Sequence, residues 1–222
     1  MHEFSDAIRS FVSPERRDLA DAVRHLLDAV LTAEDAPDAA LAAAARDVER
    51  VTTALVGHSD AHRGARTRRE TSHGDYLHRS PLVGTVNPAA APFAYQHRDA
   101  RLHADGVFHA AYEGPPGYVH GGWIALAFDE VLGMANVATG HPAMTGRLSV
   151  RYRRPTPLHV PVHIEAWTEQ VDGRRVVARA TMAAGGAVTA EAEGLFVKLG
   201  DELALAYFGR EPSRDEGPDP LP

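Results

Sequence analysis

The chain has 222 residues, of which 44% are hydrophobic and 24% charged, with no cysteine and a formal net charge of -7. This length can bury the core of one ordinary domain with an extension, and the apolar content excludes a wholly disordered chain. The acidic balance argues against a nucleic-acid-binding protein, which usually carries a strongly basic face. The absence of cysteine excludes disulfides, cysteine-ligated zinc and thiol nucleophiles.

Two amphipathic helices are predicted in the first 57 residues. Ser13 followed by Pro14 is typical of a helix start, and a second helix is predicted from Pro37-Asp38 to a stop at Gly57. Together the helices predict a helical hairpin. Charged residues throughout the first thirty positions leave no apolar signal-peptide core, and no run reaches the roughly 18 uncharged residues of a membrane span. We therefore expect a cytoplasmic protein without a membrane span.

Between His58 and Arg101 the periodicity disappears, and we expect a long connection that packs on the following domain. It contains a basic cluster of Arg63, Arg66, Arg68 and Arg69. Two interpretations of this cluster stay open: a solvated loop, and a contact to a phosphorylated ligand. Histidines are frequent from His58 to His120. His58 and His62 have the spacing of one helical face, but no acid and third ligand stand at convincing positions beside them, so no metal is expected.

After Arg101 the pattern changes to one strand, one apolar helix and four further strands. The predicted ranges are 102–112 for the first strand, about 122–137 for the helix, and 146–154, 160–171, 174–183 and 187–199 for the later strands. Asp172-Gly173 predicts a hairpin turn, and Gly194 a bulge. A helix that is hydrophobic nearly all round needs cover on every side, so we expect an antiparallel sheet curling around it. The predicted boundaries are 1–80 for a helical extension and linker, 81–205 for this domain and 206–222 for a C-terminal tail.

The sequence His120-Gly121-Gly122 stands where the apolar helix begins. Unpaired N–H groups and the positive end of the helix dipole lie at such a position, which suits an oxyanion, such as the one formed when water attacks a thioester carbonyl. Asp129 follows Gly122 by seven residues, roughly 10 Å along a helix axis, too far to serve the same carbonyl within one chain. A second copy of the chain could bring the two together. The structural alternatives to a functional site are that the two glycines form an ordinary turn and that Asp129 caps a neighbouring backbone. For Glu130, a solvated or paired side chain is the favoured interpretation.

The runs "AYEGPPGYVHGGWIALAFDEVLGMA" and "MTGRLSVRYRRPTPL" resemble the hotdog-fold acyl-CoA thioesterases, in particular the branch of the mammalian thioesterase-superfamily proteins. The resemblance covers about residues 85 to 199. It implies an α+β hotdog fold, an antiparallel sheet wrapped around a central helix, behind a helical N-terminal extension. It also implies hydrolysis of acyl-CoA in fatty acid metabolism, by a homodimer or a tetramer made of two dimers. No metal or redox cofactor is expected, since coenzyme A is part of the substrate.

The resemblance also implies roles for single residues. His120, Gly121 and Gly122 match the thioester-polarising element, Asp129 the catalytic acid, and Thr145 the residue that holds the water or the acid. The family assembles each site from two subunits, so Asp129 would act on a substrate polarised by the partner.

One position departs from the family. Small cytosolic relatives carry asparagine six residues before the histidine, where this chain has Gly114. Tyr112, Glu113 or a residue of the 58–100 segment is a candidate substitute for that asparagine. Trp123 is expected beside the acyl path, where it would narrow the channel. Three arginines on the strand after the helix are expected to bind the phosphates of the substrate's nucleotide: Arg151, Arg153 and Arg154. Alternating arginines are also typical of a strand that faces solvent, so that alternative stays open.

Other activities fit less well. No G-x-S-x-G elbow or Walker loop occurs. A hotdog hydratase would pair its acid with a histidine a few residues later, whereas His141 is twelve residues beyond Asp129. A non-catalytic acyl-CoA-binding or regulatory module is the alternative that stays open.

Overall fold

The structure, a computed structural model, describes residues 12–58 and 79–200. Two helices come first, and a sheet with one long helix follows. The elements in chain order are α1 (Pro14–Thr32), α2 (Asp38–Val56), β1 (Ala94–Arg98), β2 (Arg101–Val107), a 3₁₀ turn (Ala110–Tyr112), α3 (Gly121–Ala138), β3 (Ala143–Tyr152), β4 (Pro161–Asp172), β5 (Arg175–Ala184) and β6 (Ala187–Lys198). Within the described ranges, no helix is both long and apolar enough to cross a membrane.

The six strands form one sheet in the order β1-β2-β4-β5-β6-β3, with every neighbouring pair antiparallel. Side chains of β5 alternate as expected for a sheet with one covered face: Val176, Ala178, Ala180 and Met182 are buried. Helix α3 packs on that face and contacts β2 to β6. The predicted α+β hotdog fold is thereby confirmed, and β1 and β3 are the edge strands.

The core forms around α3. Phe128, Val131 and Leu132 of this helix are at most 1% exposed, because the sheet curls over them. Gly194 of β6 fits into this packing, since a Cβ atom there would lie 2.4 Å from the Phe196 ring. The predicted bulge at Gly194 is wrong: the residue pairs regularly with Leu148, and the neighbouring register shift lies in β3, between Thr145 and Arg147.

Both N-terminal helices form where predicted, but not as a hairpin. The Ser13 side chain accepts the Arg16 N–H at the start of α1, and Pro14 is the first helical residue. Helix α2 buries none of its residues, and its Leu41 and Leu55 are 49% and 46% exposed, so its apolar stripe is not covered by α1. Instead, α1 contacts the turn Ala110–Tyr112.

Strand β1 was not predicted, because its residues fall in the segment expected to be a connection. Asp99 and Ala100 join β1 to β2 with φ values of 52° and 57°, a hairpin turn that usually contains glycine or asparagine. The first predicted strand ends at Val107, five residues early, and the 3₁₀ turn follows. The basic cluster at 63–69, His62 and the predicted tail at 206–222 lie outside the described residues.

Candidate active site

The N-terminal end of α3 is capped by a histidine ring. His120 has extended backbone angles, and its Nδ1 accepts the N–H of Gly122 at 2.9 Å. Its carbonyl accepts the N–H groups of Trp123 and Ile124. In the described part of the chain, this leaves the Gly121 N–H as the donor without an intrachain acceptor at this end. Because Nδ1 is an acceptor, the neutral ring carries its proton on Nε2.

The cap separates the roles of two glycines that the sequence analysis treated as equal donors. The Gly122 N–H is already bonded to the His120 ring, so it is not a free second donor for a ligand carbonyl. The Gly121 peptide is held from the other side, where the Tyr152 hydroxyl donates to the Gly121 carbonyl at 2.9 Å. Sequence reasoning missed Tyr152, although the alternation of β3 placed it on the same face as Leu148 and Val150.

Asp129 and Thr145 form the second half of the site. The Thr145 hydroxyl donates to Oδ1 of Asp129 at 2.8 Å, which brings together two residues that are sixteen positions apart. Asp129 is half-buried on α3, and Thr145 is exposed on β3 next to the register shift. The predicted catalytic residues thus form two groups near opposite ends of β3: Asp129 with Thr145 near the start of the strand, and His120, Gly121 and Gly122 beside Tyr152 at its end.

Glu130 contacts a different part of the molecule from Asp129. Burial raises the pKa of Glu130, the Asp129 charge adds to this, and a hydrogen bond with Ser80 opposes it. The Ser80 Oγ also accepts the N–H groups of Leu82 and Val83. The carboxyl therefore ties the turn at residues 80–83 to the central helix, which accounts for the acid that the sequence left unassigned.

At neutral pH and above, the Glu130→Gln variant is expected to have a higher Tm than the wild type. The raised pKa means that folding favours the protonated carboxyl, so the wild-type stability from this group is complete at low pH and is lost as the pH rises through the folded-state pKa. Glutamine carries no charge at any pH and still offers Ser80 an acceptor. Thermal unfolding of both proteins between pH 4 and 8 should show a Tm difference that grows with pH; equal Tm values throughout would contradict this assignment.

Position 114, where small cytosolic relatives carry asparagine and this chain has glycine, has no room for a side chain. A Cβ atom at Gly114 would lie 2.7 Å from the His120 Cα. The polar side-chain groups of Tyr112 and Glu113, two of the predicted substitutes, are bonded elsewhere: the Tyr112 hydroxyl donates to the Ala89 carbonyl, and Glu113 Oε1 accepts the Gly117 N–H at 2.7 Å. Trp123 packs edge-on against the Tyr112 ring, with centroids 5.1 Å apart.

The three arginines proposed to bind the nucleotide differ in their surroundings. Arg153 is paired with Glu191, with its Nη2 2.7 Å from the carboxylate. Arg151 lies opposite Glu191 in register and lines an open groove of about 660 Å³ together with Trp167 and Arg179. Arg154 is exposed just beyond the strand. Trp167 and Arg179 lie on β4 and β5, so the groove crosses the sheet.

Comparison with known proteins identifies the family. The sequence model of the thioesterase superfamily matches residues 116–191. A solved structure described as a thioesterase superfamily protein is 32% identical, with a TM-score of 0.73, and the match covers 82% of this chain and 90% of that one. Acyl-coenzyme A thioesterase THEM4 of Xenopus laevis is 37% identical over 39% of this chain and 40% of that protein; the Mus musculus protein is 35% identical over 42% and 41%. The chain thus spans about 40% of the length of these curated relatives. On this similarity along nearly the whole length of a solved relative, the chain belongs to the thioesterase superfamily.

Proposed function

We propose that the protein hydrolyses acyl-CoA thioesters. The observation that carries the proposal is that the chain supplies both halves of such a site: a carboxylate held by Thr145, and an N–H donor at Gly121 that the helix cap leaves open. The fold is one whose relatives include proteins named acyl-coenzyme A thioesterase. The carboxylate can activate water, and the N–H group can polarise the carbonyl.

Two copies of the chain are needed to assemble such a site. Strand β3 is an edge of the sheet, and an unpaired edge is a template for another strand. Antiparallel pairing of β3 with its own copy, centred near Leu148 and Ser149, puts Thr145 opposite Tyr152 of the partner subunit. Asp129 of one copy then lies beside the partner's Gly121, and the same two-fold axis makes a second, equal site.

In the proposed reaction the thioester carbonyl accepts the Gly121 N–H, so the positive end of α3 stabilises the negative charge that develops on the oxygen. Asp129 of the partner subunit takes a proton from water while the water oxygen bonds to the carbonyl carbon. The C–S bond then breaks, and the thiolate leaving group takes the proton from the Asp129 carboxyl, which restores the carboxylate. Direct attack by the Asp129 carboxylate, with later hydrolysis of the anhydride, uses the same geometry. Tyr152 fixes the Gly121 peptide, and the His120 Nε2–H is a further donor nearby.

Coenzyme A enters this proposal as part of the substrate, and no cofactor is assigned. Arg151 and Arg154 are the cations best suited to its phosphates, since the Arg153 charge is already paired with Glu191. A higher assembly from two such dimers is compatible with the proposal.

A second function is favoured by one observation. The chain has glycine at position 114, where small cytosolic relatives of the resembled family carry an asparagine that contacts the thioester or water. A domain that binds acyl-CoA without turning it over is therefore the competing proposal.

The two functions are separated by measuring free thiol release from short, long and aromatic acyl-CoAs with the purified protein. We expect turnover with at least one chain class. No release with any of them would overturn the hydrolase proposal, and tight acyl-CoA binding without release would establish the binding module.

Replacing Thr145 with valine is expected to lower kcat by about tenfold, because Asp129 loses the hydroxyl that orients it. Thr145→Ser keeps the hydroxyl and should retain most of the activity. Steady-state kinetics of the two variants provide the measurement, and equal rates for valine and serine would show that the hydrogen bond does not matter.

A further inference from the structure

Helix α1 makes direct polar contacts with the turn that precedes the site. The Asp28 carboxylate accepts the N–H of Ala110, the first residue of the 3₁₀ turn, at 2.9 Å. The Arg24 guanidinium donates to the Ala90 carbonyl at 2.9 Å and to the Asn87 carbonyl at 3.2 Å. Arg24 is only 14% exposed, so these bonds are shielded from water. The helix is thus fastened to the domain at two places.

Tyr112 connects both of these places to the site. It ends the 3₁₀ turn that Asp28 holds, and its hydroxyl donates to the carbonyl of Ala89, next to the residue that Arg24 holds. Burial is the main reason that the pKa of the Tyr112 hydroxyl is raised to about 12, and the charge of Arg24 together with its hydrogen bond to the hydroxyl opposes this rise.

The Tyr112 backbone then positions the helix cap. Its carbonyl accepts the N–H of His120 at 2.9 Å, and its ring packs edge-on against Trp123. These contacts lie on either side of Gly121-Gly122. A shift of the turn therefore moves the N–H group that the proposed reaction uses.

We propose that Asp28 and Arg24 of the N-terminal helix are positioning residues for the active site: they fix the Ala110–Tyr112 turn, which sets the position of His120 and Gly121. This inference rests on the proposed thioesterase function. The N-terminal helix is then part of the catalytic unit, and the activity of the domain depends on it through a short chain of hydrogen bonds.

The test uses Asp28→Ala in the full chain. We expect kcat to fall by about tenfold with KM within about twofold of wild type, since the donor at Gly121 shifts while the rest of the substrate contacts stay. Asp28→Asn should recover most of the loss, because its amide oxygen still accepts the Ala110 N–H. Asp35→Ala, at an exposed position beyond α1, is the matched control and should match wild type.

A second measurement does not depend on activity. Hydrogen exchange of the peptide that contains His120 and Gly121 should quicken in Asp28→Ala and in Arg24→Lys, which keeps the charge but loses the planar set of donors. An unchanged kcat together with unchanged exchange would overturn the positioning role. A wild-type protein that is inert towards every acyl-CoA would instead overturn the proposed function, and the exchange result would still decide whether the helix positions the cap.

Discussion

Replacing Asp129 with asparagine is expected to abolish thioester hydrolysis. Asparagine keeps the shape of the side chain and can still accept the Thr145 hydroxyl, but it cannot take a proton from water or attack the carbonyl. The loss should be on the order of 10² to 10⁴ in kcat, the usual contribution of a general base. The measurement is thiol release at saturating acyl-CoA.

Glu130→Gln is the matched control for this variant. It removes a neighbouring carboxylate on the same helix, one that is tied to Ser80 and not to Thr145. We expect its kcat to stay close to wild type. A large loss in the Glu130 variant, or a near-normal rate for Asp129→Asn, would show that the acid has been assigned to the wrong residue.

Replacing Gly121 with proline is expected to remove the carbonyl-polarising donor without disturbing the helix. Proline is well tolerated at the first helical position, and the His120 angles of φ -61° and ψ 132° suit a residue that precedes proline. A Cβ atom here would lie 3.4 Å from the Tyr152 hydroxyl, an ordinary contact. The loss of one such donor should lower kcat by about 10² to 10³. Gly121→Ala retains the N–H and should keep most of the activity.

Mixing the two inactive variants tests whether the site is shared. In a mixed dimer, the Asp129→Asn copy contributes an intact Gly121 and the Gly121→Pro copy an intact Asp129, so one of the two sites is complete. Random exchange makes half of the dimers mixed, and the mixture should regain about a quarter of the wild-type activity. If both halves came from one chain, the mixture would be as inactive as its components.

The central part of the fold could be predicted because its signals are strong. Helix α3 is apolar nearly all round, and the strands from β3 to β6 alternate and are separated by segments that contain proline or glycine. Their predicted bounds therefore agree with the structure within a few residues. Strand β1 was not predicted because alanine follows Asp99 in its turn, where the usual hairpin signal has glycine. The helical hairpin was wrong because an apolar stripe shows that a helix is amphipathic but not what covers it.

The site could be predicted only in part. The Asp129 and Thr145 pair lies across two elements, and only the resemblance connected its members before the structure did. The Gly122 N–H was expected to be a free donor, but it donates to the His120 ring. Histidine is not among the usual helix-capping residues, so the sequence did not indicate this hydrogen bond. The Tyr152 and Ser80 contacts depend on where neighbouring segments cross the helix, which a single sequence does not encode locally.

Thr145 and Tyr152, which hold the two half-sites, lie on the same edge strand, so the spacing of the half-sites depends on the number of residues between them. Side chains of a strand alternate between its faces, so inserting or deleting a single residue between Thr145 and Tyr152 would turn one end of β3 away from α3. In the proposed dimer the same change would be repeated by the two-fold axis, and both sites would fail at once. A two-residue change would restore the facing but lengthen or shorten each site by about 7 Å. Insertions and deletions in this protein should therefore be far better tolerated in the hairpin turns than within the eight residues from Thr145 to Tyr152.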